Sequence, residues 1–230
     1  MTDDREPRAV AERYARRPAD GRYNLLRPDV WQTVQERQRA MLKLFTERGL
    51  ADLSGVELLE VGCGSGGNLL ELLRLGFMPE HLSGIELLPE RHAQARRVLP
   101  AALRLTLGDA TQAELPAASQ DLVLQSTVFS SLLDDVFQQR LADAMWRWLR
   151  PGGAVLWYDL RVDNPCNPDV RGVPLQRMRS LFPAARITHR RVTLAPPVAR
   201  LVCRAHPALY TAFNTLPLLR THLLCWIAKP

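Results

Sequence analysis

A glycine-rich segment, residues 62–67, follows a short apolar run and precedes a helical pattern. It reads Gly62-Cys63-Gly64-Ser65-Gly66-Gly67. Glycine permits a tight turn between a strand and a helix, and the missing side chains let a ligand approach backbone N–H groups at the start of the helix. The segment therefore predicts a ligand-binding loop, with a plain tight turn as the alternative.

The spacing of the glycines fits two classes of ligand. Gly62, Gly64 and Gly67 match the dinucleotide pattern G-x-G-x-x-G, whereas Gly62, Gly64 and Gly66 match the G-x-G-x-G pattern of adenosylmethionine-binding loops. Glu86 follows 19 residues after Gly67, where an acidic side chain can accept hydrogen bonds from both ribose hydroxyls. An acid at that place disfavours NADP, because the ribose phosphate would be repelled, but it leaves NAD and adenosylmethionine open.

A second acidic residue, Asp109, lies 23 residues beyond Glu86 in a Gly-Asp pair. A carboxylate there can accept a hydrogen bond from the exocyclic amine of adenine, with Leu87 and Ala110 as apolar contacts to the ring. The alternative is a turn or a helix cap, since aspartate is common at both. Together the two acids predict an adenosine site.

Apolar runs and helical patterns alternate around these residues. Candidate strands lie at 56–61, 81–87, 103–107, 122–125, 154–160, 187–194 and 223–228. Candidate helices lie at 29–49, 68–75, 90–99 and 134–149. Because each right-handed crossover lays a helix on one face of the sheet, the alternation predicts a doubly wound α/β fold.

The chain is predicted to have one main domain and an N-terminal arm. Residues 1–27 are rich in Arg, Asp, Pro and Gly and predict a loosely ordered arm that acts as a mobile lid. Residues 28–230 predict a single Rossmann-like domain. Within it, residues 195–222 form a partly helical insertion before the last strand.

The run Leu149-Arg150-Pro151-Gly152-Gly153 joins a helix to a strand and completes a series of motifs. With it, the sequence resembles the class I S-adenosylmethionine-dependent methyltransferases. The matching segments are residues 58–66, 84–86, 108–110, 121–124 and 149–153. The resemblance spans residues 58–160 and weighs against a nicotinamide enzyme, which has no need of the Leu-Arg-Pro-Gly-Gly turn.

The resemblance implies a seven-stranded, mostly parallel sheet with an antiparallel last strand. It also implies S-adenosylmethionine as the cofactor and S-adenosylhomocysteine as its product. Glu60 and the loop backbone would hold the methionine amino end, Glu86 the ribose and Asp109 the adenine amine, while Gln125 would lie near the sulfonium. The cofactor contacts implied in this way are Glu60, Gly62, Cys63, Gly64, Gly66, Glu86, Leu87, Asp109, Ala110 and Gln125.

The segment after the fifth strand is the predicted acceptor pocket, because doubly wound folds bind ligands at the carboxyl edge of the sheet. Its candidate contacts are Tyr158, Asp159, Arg161 and Arg171, joined by Tyr14 and Tyr23 of the lid at the methionine end of the cofactor. Asp159 is the candidate catalytic residue, as a general base or a cation anchor, with a helix cap as the alternative. A base is optional, since the positive sulfur already activates the methyl carbon and catalysis rests mainly on proximity and exclusion of water.

The acceptor is predicted to be a small polar molecule. The Asn/Asp-Pro-Pro-Tyr/Phe motif that orients planar amines is replaced here by Gln125-Ser126-Thr127-Val128-Phe129, which disfavours a nucleobase or amide nitrogen. We expect a natural-product, sugar or polysaccharide intermediate, methylated on oxygen or on an aliphatic nitrogen. The alternatives are a catalytically silent adenosylmethionine-binding partner subunit, an RNA or protein methyltransferase, and an NAD-dependent oxidoreductase.

Composition narrows the remaining classes. The net charge of +6 comes almost wholly from arginine. Arginines are scattered among carboxylates, as at residues 36–39 and 90–97, and no basic stripe with aromatics stands out, which disfavours nucleic acid. Cys63, Cys166, Cys203, Cys225 and the five histidines lack metal-ligand spacing, which predicts reduced thiols and no metal site. A charged N-terminus and the lack of a long apolar stretch predict a cytoplasmic protein without a membrane span, while the oligomeric state stays open.

Overall fold

The computed structural model describes residues 5–17, 21, 24–165 and 167–230, which form an α/β fold on one seven-stranded sheet. The strands are β1 (Leu58–Val61), β2 (Leu82–Glu86), β3 (Arg104–Leu107), β4 (Gln120–Ser126), β5 (Leu149–Leu160), β6 (Arg186–Leu194) and β7 (Arg220–Ala228). Their order across the sheet is β3-β2-β1-β4-β5-β7-β6. The order reverses between β1 and β4, and doubly wound folds bind ligands beyond the carboxyl ends of the strands at such a point.

The strand directions confirm the predicted sheet. Strands β1 to β5 run parallel, with Leu58 of β1 opposite Leu82 of β2. Strand β7 runs antiparallel between β5 and β6, with Cys225 opposite Trp157. The predicted strand at 223–228 and the antiparallel final strand are therefore both present.

Helices cover both faces of the sheet. They are α1 (Arg5–Ala15), α2 (Pro28–Glu47), α3 (Gly67–Leu75), α4 (Pro89–Val98), α5 (Asp135–Trp148), α6 (Leu175–Leu181), α7 (Pro196–Ala205) and α8 (Leu209–Asn214). Because successive strand residues point to opposite faces, Val123 packs with Met145 of α5 in one core, whereas Leu124 packs with Leu44 of α2 and Leu72 of α3 in the other. Within the described ranges, no helix is both long and apolar enough to cross a bilayer.

The N-terminal segment differs from the predicted loosely ordered arm, because residues 5–15 form helix α1. Glu6, Val10 and Arg13 recur at spacings of four and three residues and are all buried, so one face of α1 joins the core. The composition does not reveal this face, since two of its three buried residues are charged. Tyr23, the other tyrosine of the predicted lid, lies outside the described residues.

Strand β5 begins five residues earlier than predicted, so the Pro-Gly-Gly turn lies inside the strand. The pairing of β5 with β4 shifts between Gln120 and Leu122, which marks an irregularity at this point. Gly152 has a φ of +81°, a left-handed conformation that glycine adopts without a steric penalty. The Pro-Gly-Gly sequence therefore does mark a local irregularity of the backbone, as predicted, but the hydrogen-bonded strand β5 continues through it.

The insertion at residues 195–222 consists of α7, α8 and a 3-10 turn, Pro217–Leu219. Its small apolar core includes Leu194, Val202 and Tyr210, and the Tyr210 hydroxyl accepts a hydrogen bond from the N–H of Leu194 at 3.3 Å. The insertion packs against α2 and the end of β6. Its helical content agrees with the sequence pattern, while the division of the chain into arm, domain and insertion stays a prediction.

Candidate functional site

A cleft of about 740 Å³, counting the space open to solvent, lies at the carboxyl ends of β1, β2, β3 and β4. Six residues predicted from the sequence are found in its wall: Tyr14, Gly62, Glu86, Leu87, Asp109 and Ala110. Pro7 and Val10 of α1 complete the wall from outside the sheet. Apolar side chains with a few polar groups among them make up its wall, which is typical of a ligand site.

The glycine loop after β1 has a conformation that other residues adopt only at a cost. Gly62, Gly64 and Gly66 have φ values of +67°, +60° and +87°. A Cβ atom on Gly62 would lie 2.6 Å from Cγ2 of Val128, and one on Gly64 would clash with the guanidinium of Arg91. Three glycines are therefore needed for both the turn and the close approach of neighbouring side chains.

Several backbone N–H groups of this loop are used inside the protein. Gly62 and Cys63 both donate to the carbonyl oxygen of Ile85, at 2.8 and 3.1 Å, and Gly64 donates to Oε2 of Glu86 at 2.7 Å. Burial raises the pKa of the Cys63 thiol, so this side chain is neutral at physiological pH. The N–H groups of Gly62, Cys63 and Gly64 are therefore not available to a ligand. At these positions a ligand could only pack closely against the loop backbone.

Glu86 ends β2 and forms part of the cleft wall although its side chain is almost fully buried. Its Oε2 accepts the hydrogen bond from Gly64, and its Oε1 accepts one from the N–H of Leu88 at 2.9 Å. A carboxylate oxygen has two acceptor positions, so each oxygen retains one for a ligand hydroxyl. Glu86 thus fixes the loop and presents acceptors to the cleft.

Asp109 has the capping role that the sequence left open as an alternative. Its Oδ1 accepts from the N–H of Thr111 and its Oδ2 from the Thr111 hydroxyl, both at 2.8 Å, which caps the 3-10 turn Ala110–Gln112. The same residue lines the cleft beside Leu87. The two roles are compatible, because each carboxylate oxygen retains a second acceptor position.

Glu60 of β1 is fully buried beside the cleft, of which its neighbours Val61 and Gly62 form part. Its Oε1 accepts from Nδ2 of Asn68 at 2.6 Å, and its Oε2 has no hydrogen-bond partner among the described residues. Burial raises the pKa of Glu60 to about 7, against the opposing effects of the Asn68 hydrogen bond and the charge of Arg37. A buried carboxylate with one unpartnered oxygen is suited to receive a cationic group.

Arg37 of α2 and Asn68 of α3 hold this carboxylate in place. Arg37 donates to Oδ1 of Asn68 at 2.7 Å, which orients the amide nitrogen toward Glu60. Its other terminal nitrogen lies 3.4 Å from the hydroxyl oxygen of Ser126, a residue of the cleft wall. Sequence analysis does not identify either residue, because each occupies an ordinary helical position, and only the closeness of Asn68 to the glycine loop hints at its role.

A buried ion pair holds α1 over the cleft. Arg13 donates to Oε1 of Glu6 at 2.6 Å and to the carbonyl oxygen of Ser131 at 3.0 Å. The same carboxylate oxygen accepts from the N–H of Leu133 at 2.7 Å. Breaking a buried pair by removing one partner costs several kcal/mol, so these contacts fasten α1 to the segment after β4.

Tyr14 of α1, a residue of the predicted lid, lies in the cleft wall. Its ring lies between two cations, with the guanidinium carbon of Arg17 at 3.6 Å and that of Arg91 at 5.1 Å from the ring centroid. Arg91 of α4 also lines the cleft and was not identified from the sequence. These contacts connect α1 to the helix that follows Glu86.

Gln125 and Asp159 do not line the cleft, and both are fully buried. Gln125 accepts from the N–H of Val128 at 3.1 Å. Asp159 accepts from the N–H groups of Ser130 and Leu160 at 3.1 and 2.8 Å, while burial raises its pKa to about 6. The contacts of Asp159 are those of a cap that fixes the segment after β4, the alternative that the sequence left open, and its pocket role stays a prediction.

Tyr158 does not line the cleft either, because it packs in the core on the side of α2 and α3, whereas the cleft residues Val61 and Ile85 belong to the opposite core. Its hydroxyl bonds to that of Thr193 at 2.8 Å, and burial raises its pKa to about 12. Its ring stacks on His222 with centroids 4.9 Å apart, and burial lowers the pKa of that histidine to about 4. Together with Arg37, 5.3 Å above the ring, these residues form a buried polar group that sequence analysis missed.

The other predicted acceptor contacts are not brought together. Arg171 forms an ion pair with Asp135, and Arg161 is absent from the cleft wall. Tyr23 lies outside the described residues. In the part of the chain that the structure describes, no group of His, Cys, Asp and Glu side chains is arranged to hold a metal ion.

The part of the chain that begins at β1, the strand before the glycine loop, matches a known protein family. Residues 58–153 match the family described as a methyltransferase domain. The phthiotriol/phenolphthiotriol dimycocerosates methyltransferase 1 of Mycobacterium ulcerans is 36% identical over 132 residues, which are 55% of this chain and 47% of that protein. The fatty-acid O-methyltransferase of Mycolicibacterium smegmatis is 38% identical over 112 residues, 48% of this chain and 39% of that protein. The chain thus matches less than half the length of either relative.

The same fold occurs in solved structures. An S-adenosylmethionine-dependent methyltransferase from Thermotoga maritima superposes with a TM-score of 0.62, covering 97% of this chain and 98% of that one. Sequence identity is 15%, so this likeness concerns the fold alone.

Proposed function

We propose that the chain is a class I S-adenosylmethionine-dependent methyltransferase that transfers the methyl group of S-adenosylmethionine to a small-molecule acceptor, since residues 58–153 match the family described as a methyltransferase domain. The observation that carries the proposal is the cleft at the strand ends, where Glu86 and Asp109 stand beside Leu87 and Ala110. Two carboxylates with free acceptor positions and two apolar side chains match the polar and apolar parts of adenosine.

The adenosine part of the cofactor is proposed to lie between the ends of β2 and β3. Glu86 would accept hydrogen bonds from the two ribose hydroxyls, as it already accepts from Gly64 and Leu88. Asp109 would accept from the adenine amine while it caps its own turn. These are the acceptor positions that the internal hydrogen bonds leave available.

The methionine part is proposed to lie toward Glu60. Its unpartnered Oε2 would accept from the ammonium group, and Asn68 and Arg37 are positioning residues that hold the carboxylate. Pairing with an ammonium group would offset the burial that raises the pKa of Glu60. The side chain of Gln125, which the resemblance implies near the sulfonium, accepts from the N–H of Val128 and so shapes the segment after β4, while its contact with the cofactor stays a prediction.

S-adenosylmethionine supplies a methyl carbon activated by the attached sulfonium. The residues of this chain would act on the reaction by orienting the cofactor and excluding water. Pro7, Val10 and Tyr14 of α1 cover the cleft, and the Glu6–Arg13 pair keeps them there. No side chain of the described residues is assigned as a general base, because Asp159 is engaged as a cap.

The acceptor is proposed to be an oxygen of a small molecule with an apolar body. Apolar side chains, among them Leu132, Phe137 and Leu141, line the part of the cleft next to α5. The names of the two relatives, a fatty-acid O-methyltransferase and a dimycocerosates methyltransferase, support a lipid-like acceptor over the sugar expected from the sequence. Oxygen is favoured as the methylated atom because one relative is named a fatty-acid O-methyltransferase and because this chain lacks the motif that orients planar amines.

Release of S-adenosylhomocysteine across a panel of acceptors tests the proposal. The panel contains fatty acids, hydroxylated acyl chains, sugars, aliphatic amines and transfer RNA, each with purified protein and S-adenosylmethionine. We expect release with a hydroxyl- or carboxyl-bearing acyl compound and none with RNA. Binding of S-adenosylhomocysteine without turnover on any acceptor would favour the silent-subunit alternative, and efficient RNA methylation would contradict the small-molecule proposal.

A further inference from the structure

Charge is divided unevenly along the chain. Residues 170–230 contain nine arginines and one lysine but no aspartate or glutamate, a net charge of +10. Residues 1–169 contain all 24 acidic residues and 20 basic ones, a net charge of −4. The basic character of the protein therefore lies entirely in the part that forms α6, β6, α7, α8 and β7. An asymmetry of this kind is typical of chains that bind an anionic surface.

Carboxylates of the first part neutralise only some of these cations. Arg171 and Arg177 pair with Asp135, and Arg190 pairs with Glu47. By contrast, two exposed arginines of α7, Arg200 and Arg204, form no ion pair with any described residue. They are four residues apart and so lie on one side of the helix.

Large apolar side chains are exposed in the same insertion. Leu201, between the two arginines, is 68% exposed, and Leu218 of the 3-10 turn is 88% exposed. Phe213 and Leu216, in and after α8, are also exposed. Helix α7 packs on α8, and α8 packs on the turn, so these side chains belong to one packed unit. Single exposed leucines are ordinary on a protein surface, but a group of them among unpaired arginines marks an interaction site.

A neighbouring segment extends this surface. Arg27, Asp29, Arg200 and Arg204 line a shallow cleft between the start of α2 and α7. Leu26, directly before Arg27, is 90% exposed. We call the surface formed by Leu26, Arg200, Leu201, Arg204, Leu216 and Leu218 the arginine–leucine face.

The arginine–leucine face lies at the same edge of the sheet as the cofactor cleft. Strand β6 runs parallel to β5, so its end at Leu194 lies at the carboxyl edge, where the cleft also lies. The insertion begins there, and the N–H of Ala195 donates to the carbonyl oxygen of Leu219 at 2.8 Å, which closes it at that edge. A surface bound to this face would therefore lie at the same edge of the sheet as the cleft, on the side of the outermost strand β6.

We propose that the arginine–leucine face docks on a lipid bilayer that contains anionic lipids. Arginines attract the negative headgroups, and exposed leucines enter the apolar boundary beneath them, as in amphipathic helices that lie in the membrane interface. A nucleic-acid surface would match the arginines but would leave the leucines without apolar contacts. The inference goes beyond methyl transfer, since it concerns where the chain binds and not what reaction it performs.

Flotation of the full chain with vesicles tests the docking, without cofactor or acceptor. We expect the protein to float with vesicles of phosphatidylcholine and phosphatidylglycerol and to stay behind with phosphatidylcholine alone. Arg200→Glu combined with Arg204→Glu should lower binding to the anionic vesicles about 100-fold. The matched control is Arg179→Glu with Arg186→Glu, which changes the net charge by the same amount. Arg179 is on α6 and Arg186 begins β6, at the end away from the insertion, so this control should lower binding less than threefold.

A second pair of variants separates bilayer docking from charge attraction. Leu201→Ser with Leu218→Ser leaves all charges in place and should lower binding about tenfold, because two leucine side chains leave the interface. Thermal melting of every variant should stay near that of the parent, since all these side chains are exposed. The proposal is overturned if the parent does not float with anionic vesicles or if the leucine pair has no effect on binding. It is also overturned if both arginine pairs lose binding equally, or if the protein binds transfer RNA more tightly than vesicles through Arg200 and Arg204.

Discussion

Oε2 of Glu86 accepts a hydrogen bond from the backbone N–H of Gly64 at 2.7 Å. The acid at the end of β2 therefore fixes the loop that follows β1. Gly64 has a φ of +60° at this contact, so the bond forms only with the loop in its left-handed turn. Since Glu86 is also the proposed ribose ligand, the shape of the loop and the affinity for the cofactor are coupled.

Gly64→Val should weaken S-adenosylhomocysteine binding more than tenfold and destabilise the fold by about 2 kcal/mol, because a β-branched residue is strained at positive φ and would displace Arg91. Gly67→Ala is the matched control. Gly67 begins α3, and a Cβ atom there meets nothing within 4 Å. Calorimetric titration and urea unfolding should show near-parent values for the control. Parent-like binding by Gly64→Val would show that the loop is not part of the cofactor site.

Cofactor affinity should depend on the ionisation of Glu60. Burial raises its pKa to about 7, so in the ligand-free protein the carboxyl is half protonated near neutral pH and cannot pair with an ammonium group in that form. Raising the pH from 5.5 to 7.5 should strengthen S-adenosylhomocysteine binding by about tenfold or more, since the ligand ammonium stays protonated in this range. The groups that face this carboxylate are Asn68, Arg37, Glu86 and Arg91.

The control for this pH dependence is Glu60→Gln, which has the same neighbours and no titrating group at this position. Its affinity should be lower and nearly independent of pH. The raised pKa also predicts that the ligand-free parent loses stability as the pH rises from about 4.5 to about 7, because the folded state holds a proton that the unfolded chain releases. A parent profile as flat as that of Glu60→Gln would contradict the role of Glu60.

The parallel sheet and the ligand site at its carboxyl edge were predictable because their signals are local. The apolar run ending at Val61, the glycines after it and the acid at Glu86 each belong to a single strand end. Once the sheet is parallel, those ends meet at one edge. The wall residues at these strand ends, Gly62, Glu86 and Asp109, followed from that argument without knowledge of any long-range contact.

The residues that sequence analysis missed depend on contacts between distant segments. Arg37 reaches Asn68, 31 positions away, and Arg13 reaches the carbonyl oxygen of Ser131, 118 positions away. Neither arginine differs by type or spacing from its surface neighbours. The placement of Tyr158 and Asp159 in one pocket was avoidable, however, because consecutive strand residues point to opposite faces.

Arg13→Met should release α1 from the cleft. The substitution leaves Glu6 buried without its cation, so hydrogen exchange over residues 5–15 should rise and S-adenosylhomocysteine affinity should fall about tenfold as Val10 and Tyr14 leave the wall. Arg16, directly after the end of α1, forms an exposed pair with Asp169, and Arg16→Ala should change both readouts little. Equal effects of the two substitutions would mean that the buried pair does not hold α1.

Asp159→Asn should act on stability and not on catalysis. The substitution removes a carboxylate that accepts from Ser130 and Leu160, which should lower the free energy of unfolding by about 1–3 kcal/mol. Turnover per folded molecule should stay within about twofold of the parent, because Asp159 does not line the cleft. Loss of turnover with unchanged stability would restore the general-base role first predicted for this residue.

The cleft is proposed to bind the adenosine part of S-adenosylmethionine through Glu86. Glu86→Gln is the informative variant, and Glu80→Gln, an exposed acid just before β2, is its matched control. Removing the second carboxylate oxygen should cost about 1–3 kcal/mol of binding, about 5- to 150-fold in Kd.

Titration calorimetry of S-adenosylhomocysteine into the parent protein and these two variants is the most direct test. We predict saturable one-to-one binding by the parent and by Glu80→Gln, binding by Glu86→Gln that is weaker by the stated factor, and no comparable binding of NAD. Equal affinity of all three proteins for S-adenosylhomocysteine would contradict the role of Glu86 in binding adenosine. Binding of NAD as tight as that of S-adenosylhomocysteine would contradict the proposed cofactor.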